Sequence, residues 1–214
     1  MTKVYIVNSS YAYERMYIEE GFELVDNADK AGLIQFTGGA DVHPSLYGER
    51  DVYSYPNARR DYEEMKIFEK YAGKKPMAGV CRGAQFLCVA NGGKLWQDVD
   101  NHAIYGLHTM LVKESIDGEF AKEVYVTSTH HQAMRCVEEA NGIIIGISEP
   151  RSSERYGETE TVLGLRDDDV EVAFFPKTKC YCFQPHPEMT SKNSGCRLEF
   201  FYGLKTFLGV DPYA

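Results

Sequence analysis

Pro76-Met77-Ala78-Gly79-Val80-Cys81-Arg82-Gly83-Ala84-Gln85-Phe86-Leu87-Cys88-Val89-Ala90-Asn91-Gly92-Gly93 changes character at Cys81. Pro76 to Val80 is a short apolar run bounded by turn residues, which predicts a buried strand. Arg82 to Ala90 predicts a helix, stopped by Asn91-Gly92-Gly93. Cys81 stands at the junction with a glycine two residues away on each side. Gly-x-Cys-x-Gly on a strand-turn-helix is the cysteine form of the nucleophile elbow. A sharp turn holds the reactive side chain in strained backbone, and small neighbours let adjoining backbone come close. The helix N-terminus favours thiolate over thiol, so Cys81 is expected to be more acidic than a free thiol. The competing reading is a packing cysteine beside an ordinary βα turn. A nucleophile needs a base, an orienting group and an oxyanion site from elsewhere in the chain.

Cys182-Phe183-Gln184-Pro185-His186-Pro187-Glu188 supplies the first two. Prolines on both sides of His186 fix φ and remove donors, so the segment after the predicted strand Cys180 to Gln184 is stiff. A general base needs an imidazole held in one orientation, and a carboxylate two residues on can take its other ring nitrogen. Thr37-Gly38-Gly39-Ala40-Asp41 follows another predicted strand, at the sheet edge where open α/β folds bind ligands. A Gly-Gly turn there can aim a backbone N–H into the site, and with the N–H of Arg82 it would form an oxyanion hole. Ser128-Thr129-His130-His131-Gln132 is a further polar cluster after a strand. Adjacent histidines on extended chain point to opposite sides, which argues against both binding one metal and favours a substrate-facing loop. His43, His102 and His108 receive no chemistry from spacing, and no metal or cofactor is expected.

The remaining chain supports an α/β reading. Strands are expected at Val4 to Asn8, Phe22 to Asp26 and Ala31 to Phe36, with helices from Tyr11 to Gly21 and Asp61 to Tyr71. Asp41 to Tyr55 reads as loop. Beyond the elbow, short strands are expected at Leu107 to Lys113, Val124 to Thr127, Gly142 to Ser148, Thr161 to Leu165 and Val170 to Phe175, as an antiparallel extension. Ser194 to Leu208 reads as a closing helix. The 214 residues suggest one domain spanning 1–214. A net charge of −9 without a basic run argues against nucleic acid or an anionic membrane as a partner. No signal peptide or membrane-spanning run is visible, so the six cysteines read as reduced thiols in a cytoplasmic protein. Five of them, all but Cys81, read as packing residues.

Taken in order, Thr37-Gly38-Gly39-Ala40-Asp41-Val42-His43-Pro44-Ser45-Leu46-Tyr47-Gly48-Glu49, the elbow, Ser128-Thr129-His130-His131-Gln132 and Phe183-Gln184-Pro185-His186-Pro187-Glu188 resemble the class I glutamine amidotransferase superfamily. Within it they resemble the γ-glutamyl hydrolase-like branch, peptidase family C26, which includes bacterial γ-glutamyl-γ-aminobutyrate hydrolases. Asn91-Gly92-Gly93-Lys94-Leu95-Trp96-Gln97-Asp98 also fits that branch. The resemblance covers essentially the whole chain. It implies a flavodoxin-like three-layer α/β/α sandwich with a mostly parallel central sheet. It also implies attack on a γ-glutamyl amide through a γ-glutamyl thioester. By this resemblance Cys81 is the nucleophile, His186 the base and acid, and Glu188 the orienter. Gly39 and Arg82 supply the oxyanion N–H groups. Gly38, Gln85, His130 and His131 hold the glutamyl end. Pro185 departs from the pattern, standing where many relatives carry an aromatic residue.

Three functions fit these residues. One is a stand-alone hydrolase releasing glutamate plus ammonia or an amine. The second is a glutaminase subunit feeding ammonia to a separate synthetase partner. The third is a binding or regulatory protein on the same scaffold, against which the retained Cys81, His186 and Glu188 argue. The oligomeric state is left open, a homodimer included.

Overall fold

Alternation along one strand sets the layering. Cys180 and Cys182 enter one apolar cluster and Tyr181 and Phe183 the other, as the two-residue period of a strand requires. The computed structural model describes residues 1–149 and 169–213, and the strand expected at 161–165 lies outside them. The elements are β1 (Lys3–Val7), α1 (Tyr11–Glu19), β2 (Glu23–Leu24), β3 (Leu33–Phe36), α2 (Ala58–Tyr71), β4 (Met77–Val80), α3 (Arg82–Ala90), β5 (Lys94–Trp96), β6 (Ala103–Lys113), β7 (Phe120–Thr129), β8 (Ala133–Arg135), β9 (Ile143–Ser148), β10 (Val170–Phe175), β11 (Cys180–Phe183) and α4 (Gly195–Leu208).

The main sheet runs β2-β1-β3-β4-β11-β10-β9-β6-β7, with β8 pairing β10 and β5 pairing β8. One core packs Met16 and Tyr17 of α1 and Phe200 and Leu204 of α4 against Val4, Val80 and Phe183. The other packs Phe68 of α2 and Phe86 and Leu87 of α3 against Ile34, Met77 and Cys182. Helices therefore cover both faces, giving the three layers of a flavodoxin-like α/β sandwich.

The expectation of a mostly parallel sheet needs correction. β2, β1, β3, β4 and β11 pair in parallel, whereas every pairing beyond β11 is antiparallel. Sequence pattern underestimated the β6–β7 hairpin. Its register runs from Ala103↔Thr129 to Lys113↔Phe120, and both strands extend well past their apolar centres. His108 lies in β6.

Helix ends follow local chemistry. Asn57 accepts from the Arg60 amide and caps α2, and Ser194 accepts from the Arg197 amide and caps α4. α4 stops at Gly209 in the left-handed region. Among the described residues, no helix is long and apolar enough to cross a membrane.

Candidate active site

β4 ends at Val80 and α3 begins at Arg82, so Cys81 alone makes the turn. It does so at φ 50° and ψ −113°, a conformation that is strained for any side-chain-bearing residue. The flanking glycines are there for space. A Cβ on Gly79 would overlap the Gly83 carbonyl, and a Cβ on Gly83 would overlap the Phe36 carbonyl. The strand, the elbow and β3 thus meet at backbone contact distance.

β11 runs parallel beside β4 with Phe183 opposite Val80, and the Cys81 amide donates to the Phe183 carbonyl at 3.0 Å. This ladder delivers Pro185-His186-Pro187 to the elbow. The His186 amide donates to Thr127 Oγ1 of β7 at 2.7 Å, and Nδ1 lies 2.6 Å from Glu188 Oε1. A Cβ placed on Gly38 would sit 3.0 Å from His186 Cε1 and 3.7 Å from Cys81 Cβ. Cys81, His186 and the Gly38 backbone therefore enclose one small volume. Burial acts to lower the His186 pKa. The hydrogen bonds and negative charges of Cys81 and Glu188 outweigh it and push the imidazole up to about 10. Tyr13 of α1 closes the far side, its hydroxyl accepting from the Gly38 amide at 2.9 Å. Burial and the nearby Glu188 carboxylate hold its phenol well above the ordinary range.

The loop from Thr37 to Asp41 is held by charged groups. Arg60 donates to the carbonyls of Gly38 at 2.9 Å and Thr37 at 2.7 Å. Arg82, 1% exposed, donates through Nε to the Ala40 carbonyl at 3.1 Å. Its fork also pairs with Asp61 and Glu64. Glu64 is shared with Arg60 Nε at 2.8 Å. Desolvation and the neighbouring Arg60 charge hold the Arg82 pKa down to about 10, against the pull of Asp61. His131 adds a third tie, with Nε2 3.2 Å from Asp41 Oδ2. Among the described residues the amides of Gly39 and Arg82 make no backbone hydrogen bond.

The four residues expected at the glutamyl end separate into two pairs. Gly38 adjoins Cys81 and His186, and His131 is partly exposed beside Asp41. Gln85 and His130 are buried. Gln85 Nε2 donates to the Gln132 carbonyl at 3.0 Å and to Gln184 Oε1 at 3.2 Å. His130 Nδ1 meets the Gln132 carbonyl at 2.9 Å. These two brace the His-His-Gln segment from behind.

Arg60, Asp61, Glu64 and Tyr13 went unassigned in the sequence. A signal existed for two of them. Asp61, Glu64, Phe68 and Tyr71 share the buried stripe of α2, at a spacing of three, four and three that places both carboxylates on the apolar face.

All six thiols are free. Burial pushes Cys180 up to about 11 and Cys196 up to about 12, and Cys180 and Cys182 sit together in one core. Cys81 is distinguished from them by its place on the strand-to-helix turn and its imidazole neighbour.

The chain is 36% identical over 123 residues to the glutamine amidotransferase-like protein YvdE of Lactococcus lactis. That match takes in 48% of this chain and 50% of YvdE, so the chain spans about half the length of that relative. It is 27% identical over 189 residues to protein NtpR of Enterococcus hirae, across 79% of this chain and 71% of NtpR. A GMP synthase subunit from Thermoplasma acidophilum has the same fold, with TM-score 0.65 and 19% identity over 98% of this chain and 93% of that one. The peptidase C26 family model matches residues 17–145. With its class I glutamine amidotransferase fold, the chain belongs to the peptidase C26 family.

Proposed function

We propose that the protein is a cysteine-dependent hydrolase of γ-glutamyl amide bonds, acting on glutamine or a γ-glutamyl amine. The observation that carries this reading is a cysteine strained at φ 50° on a strand-to-helix turn, beside a histidine whose second nitrogen is held by a carboxylate at 2.6 Å. Sγ of Cys81 attacks the γ-carbonyl carbon. The carbonyl π electrons move to oxygen, and the amides of Gly39 and Arg82 stabilise the resulting oxyanion. The His186 imidazolium, stabilised by Glu188, gives its proton to the leaving nitrogen as the C–N bond breaks, leaving a γ-glutamyl thioester. Water then attacks the thioester, its proton passes to His186, and glutamate departs with return of the thiolate. Gly38 adjoins Cys81 and His131 ties to Asp41 of the same loop, and both are assigned to the glutamyl end.

Glutamate release by the purified chain, from glutamine and from a panel of γ-glutamyl amines, tests this reading. Release that disappears in Cys81→Ala is expected. Undiminished release by Cys81→Ala would overturn the mechanism.

A second reading has its own support, because one solved structure of this fold is that of a GMP synthase subunit. On that reading the same cysteine supplies ammonia to a synthetase partner. The isolated chain would then be silent on every substrate, yet Cys81 would still be labelled by a glutamine-analogue electrophile.

A further inference from the structure

Behind the His-His-Gln segment lies a cluster the hydrolytic reading does not use. Glu171 of β10 is fully buried and is approached by three imidazoles. His108 Nε2 stands 3.1 Å from Glu171 Oε1, His102 Nδ1 3.5 Å and His130 Nε2 3.6 Å. His102, His108 and Glu171 place one ligand atom each within 4.8 Å of one another. Three imidazoles on one oxygen would be ordinary if each donated a hydrogen bond. They do not. Both Glu171 oxygens, both His108 nitrogens and His130 Nε2 are buried without a hydrogen-bond partner among the described residues.

The outward-facing nitrogens explain why. His102 Nε2 lies 3.2 Å from Asp169 Oδ2, and an ionised carboxylate only accepts, so that nitrogen carries the proton. His130 Nδ1 lies 2.9 Å from the Gln132 carbonyl, which also only accepts. In the neutral ring, His130 Nε2 therefore turns a lone pair toward the carboxylate, and His102 Nδ1 is shared between Glu171 Oε1 and Ser128 Oγ, 3.5 Å from each. Lone pairs facing a buried anion repel unless a cation lies between them. Pinning the second nitrogen with a carboxylate or a carbonyl is how proteins orient metal-ligating histidines. Bonds of about 2.1 Å in a tetrahedral site place neighbouring donors roughly 3.4 Å apart, and the His108 and His102 separations from Oε1 bracket that spacing.

We propose that His102, His108 and Glu171 form a binding site for a divalent ion of the zinc class, the fourth tetrahedral position being left to water. Two imidazoles and one carboxylate suit such an ion better than magnesium or calcium, which favour oxygen. It would tie β6 and the residue before it to β10. Thr127 of β7 anchors the His186 amide and the Glu171 carbonyl accepts the Gln184 amide at 2.8 Å, so the ion would brace the platform carrying His186. This proposal stands whether or not the hydrolytic reading does.

Chelator-treated, dialysed full-length chain is titrated with Zn²⁺ by calorimetry, and with Co²⁺ followed by visible absorption. Wild type and Cys81→Ala are both used, the latter to remove the thiol beside His186. The expected result is one ion per chain in both, with the intense bands of four-coordinate Co²⁺ and no sulfur charge-transfer band. Binding should weaken at least tenfold in Glu171→Gln and in His108→Ala. Absence of stoichiometric binding would overturn the proposal. So would binding that is lost in Cys81→Ala and unaffected by His108→Ala. If the cluster variants do not fold, the wild-type melting temperature decides. Zn²⁺ at about a hundredfold excess over Kd should raise it by roughly 5 °C relative to chelator, and no change would overturn the site.

Discussion

Arg60 Nη1 donates to the carbonyl oxygen of Gly38 at 2.9 Å, directing a partly buried cation at the backbone that faces Cys81 and His186. The same guanidinium holds the Thr37 carbonyl and Glu64. Arg60 does not sit where a nucleophile, base or oxyanion donor would be sought, yet it fixes the loop that supplies the Gly39 amide. Arg60→Met should lower kcat/KM at least ~100-fold by loosening that loop. It should also cost about 2–3 kcal/mol, less than a fully buried pair because Arg60 is partly exposed and Glu64 keeps Arg82. Arg60→Lys retains the charge but not the planar fork, so it should recover stability more than turnover. Steady-state kinetics with thermal melts check both, and wild-type kcat/KM in Arg60→Met would show that the clamp is dispensable.

His186 has a folded pKa of about 10 against an ordinary value of 6.5. A group raised on folding contributes stability that is complete below its unfolded pKa and is lost as pH rises through its folded pKa. Stability should therefore decline between pH ~6.5 and ~10. The decline should be smaller in Cys81→Ala, which keeps Glu188 but has no thiolate beside the imidazolium. Urea unfolding across that window tests this, and equal declines in the two proteins would dissociate His186 from Cys81. Turnover should fall along a basic limb near pH ~10, where the leaving amine loses its proton donor.

Glu188→Gln replaces a carboxylate at 2.6 Å with a neutral amide that stabilises imidazolium poorly and can select the wrong tautomer. kcat should drop by roughly 10²–10⁴ with KM within about threefold, by analogy with other nucleophile-base-carboxylate triads. A purely structural role would instead lower the melting temperature and leave kcat intact in the folded fraction.

The backbone at Cys81 holds strain that glycine relieves. Cys81→Gly and Cys81→Ala should both be inactive, but the glycine variant should be the more stable by about 1 kcal/mol, or roughly 3 °C in melting temperature. An alanine variant at least as stable would mean the elbow stores no strain.

Gly83 and Gly48 make a matched pair. A Cβ on Gly83 would overlap the Phe36 carbonyl, whereas one on Gly48, at φ 74°, meets nothing within 4 Å. Gly48→Ala should cost about 1 kcal/mol, from backbone conformation alone. Gly83→Ala should cost about 3 kcal/mol or more, since backbone cannot yield as a side chain can. Gly83→Ala should also slow iodoacetamide labelling of Cys81. Equal costs would remove the packing argument for the glycine-flanked elbow.

The elbow was readable because three local signals agreed: an apolar run, flanking glycines and a helix stop around Cys81. His186 and Glu188 were readable because prolines made their segment rigid on its face. Asp61 and Glu64 left a trace in the apolar stripe of α2, but the side chains of Arg60 and Arg82 were not readable, because charged groups on a helix ordinarily face water and only their pairing with those acids makes burial tolerable. Arg82 pairs with acids about 20 residues away, which no local pattern reports. The His102, His108 and Glu171 cluster was hidden for the same reason, its members coming from separate parts of the chain. The antiparallel half of the sheet was expected as a minor extension, since apolar content marks the middle of a hairpin strand but not its polar outer ends, as in β6 and β7.

β4 and β11 are neighbours in one ladder, with Val80 opposite Phe183, yet about a hundred residues separate them along the chain. During synthesis β4 and α3 emerge long before β11. A growing chain, or one cut between them, can present Cys81 but has neither the imidazole nor the carboxylate that would make it reactive. The last central strand to arrive is also the one that joins the parallel half of the sheet to the antiparallel half. Hydrolytic competence on the proposed mechanism is thereby a report that translation has run past Glu188 and that the sheet has closed.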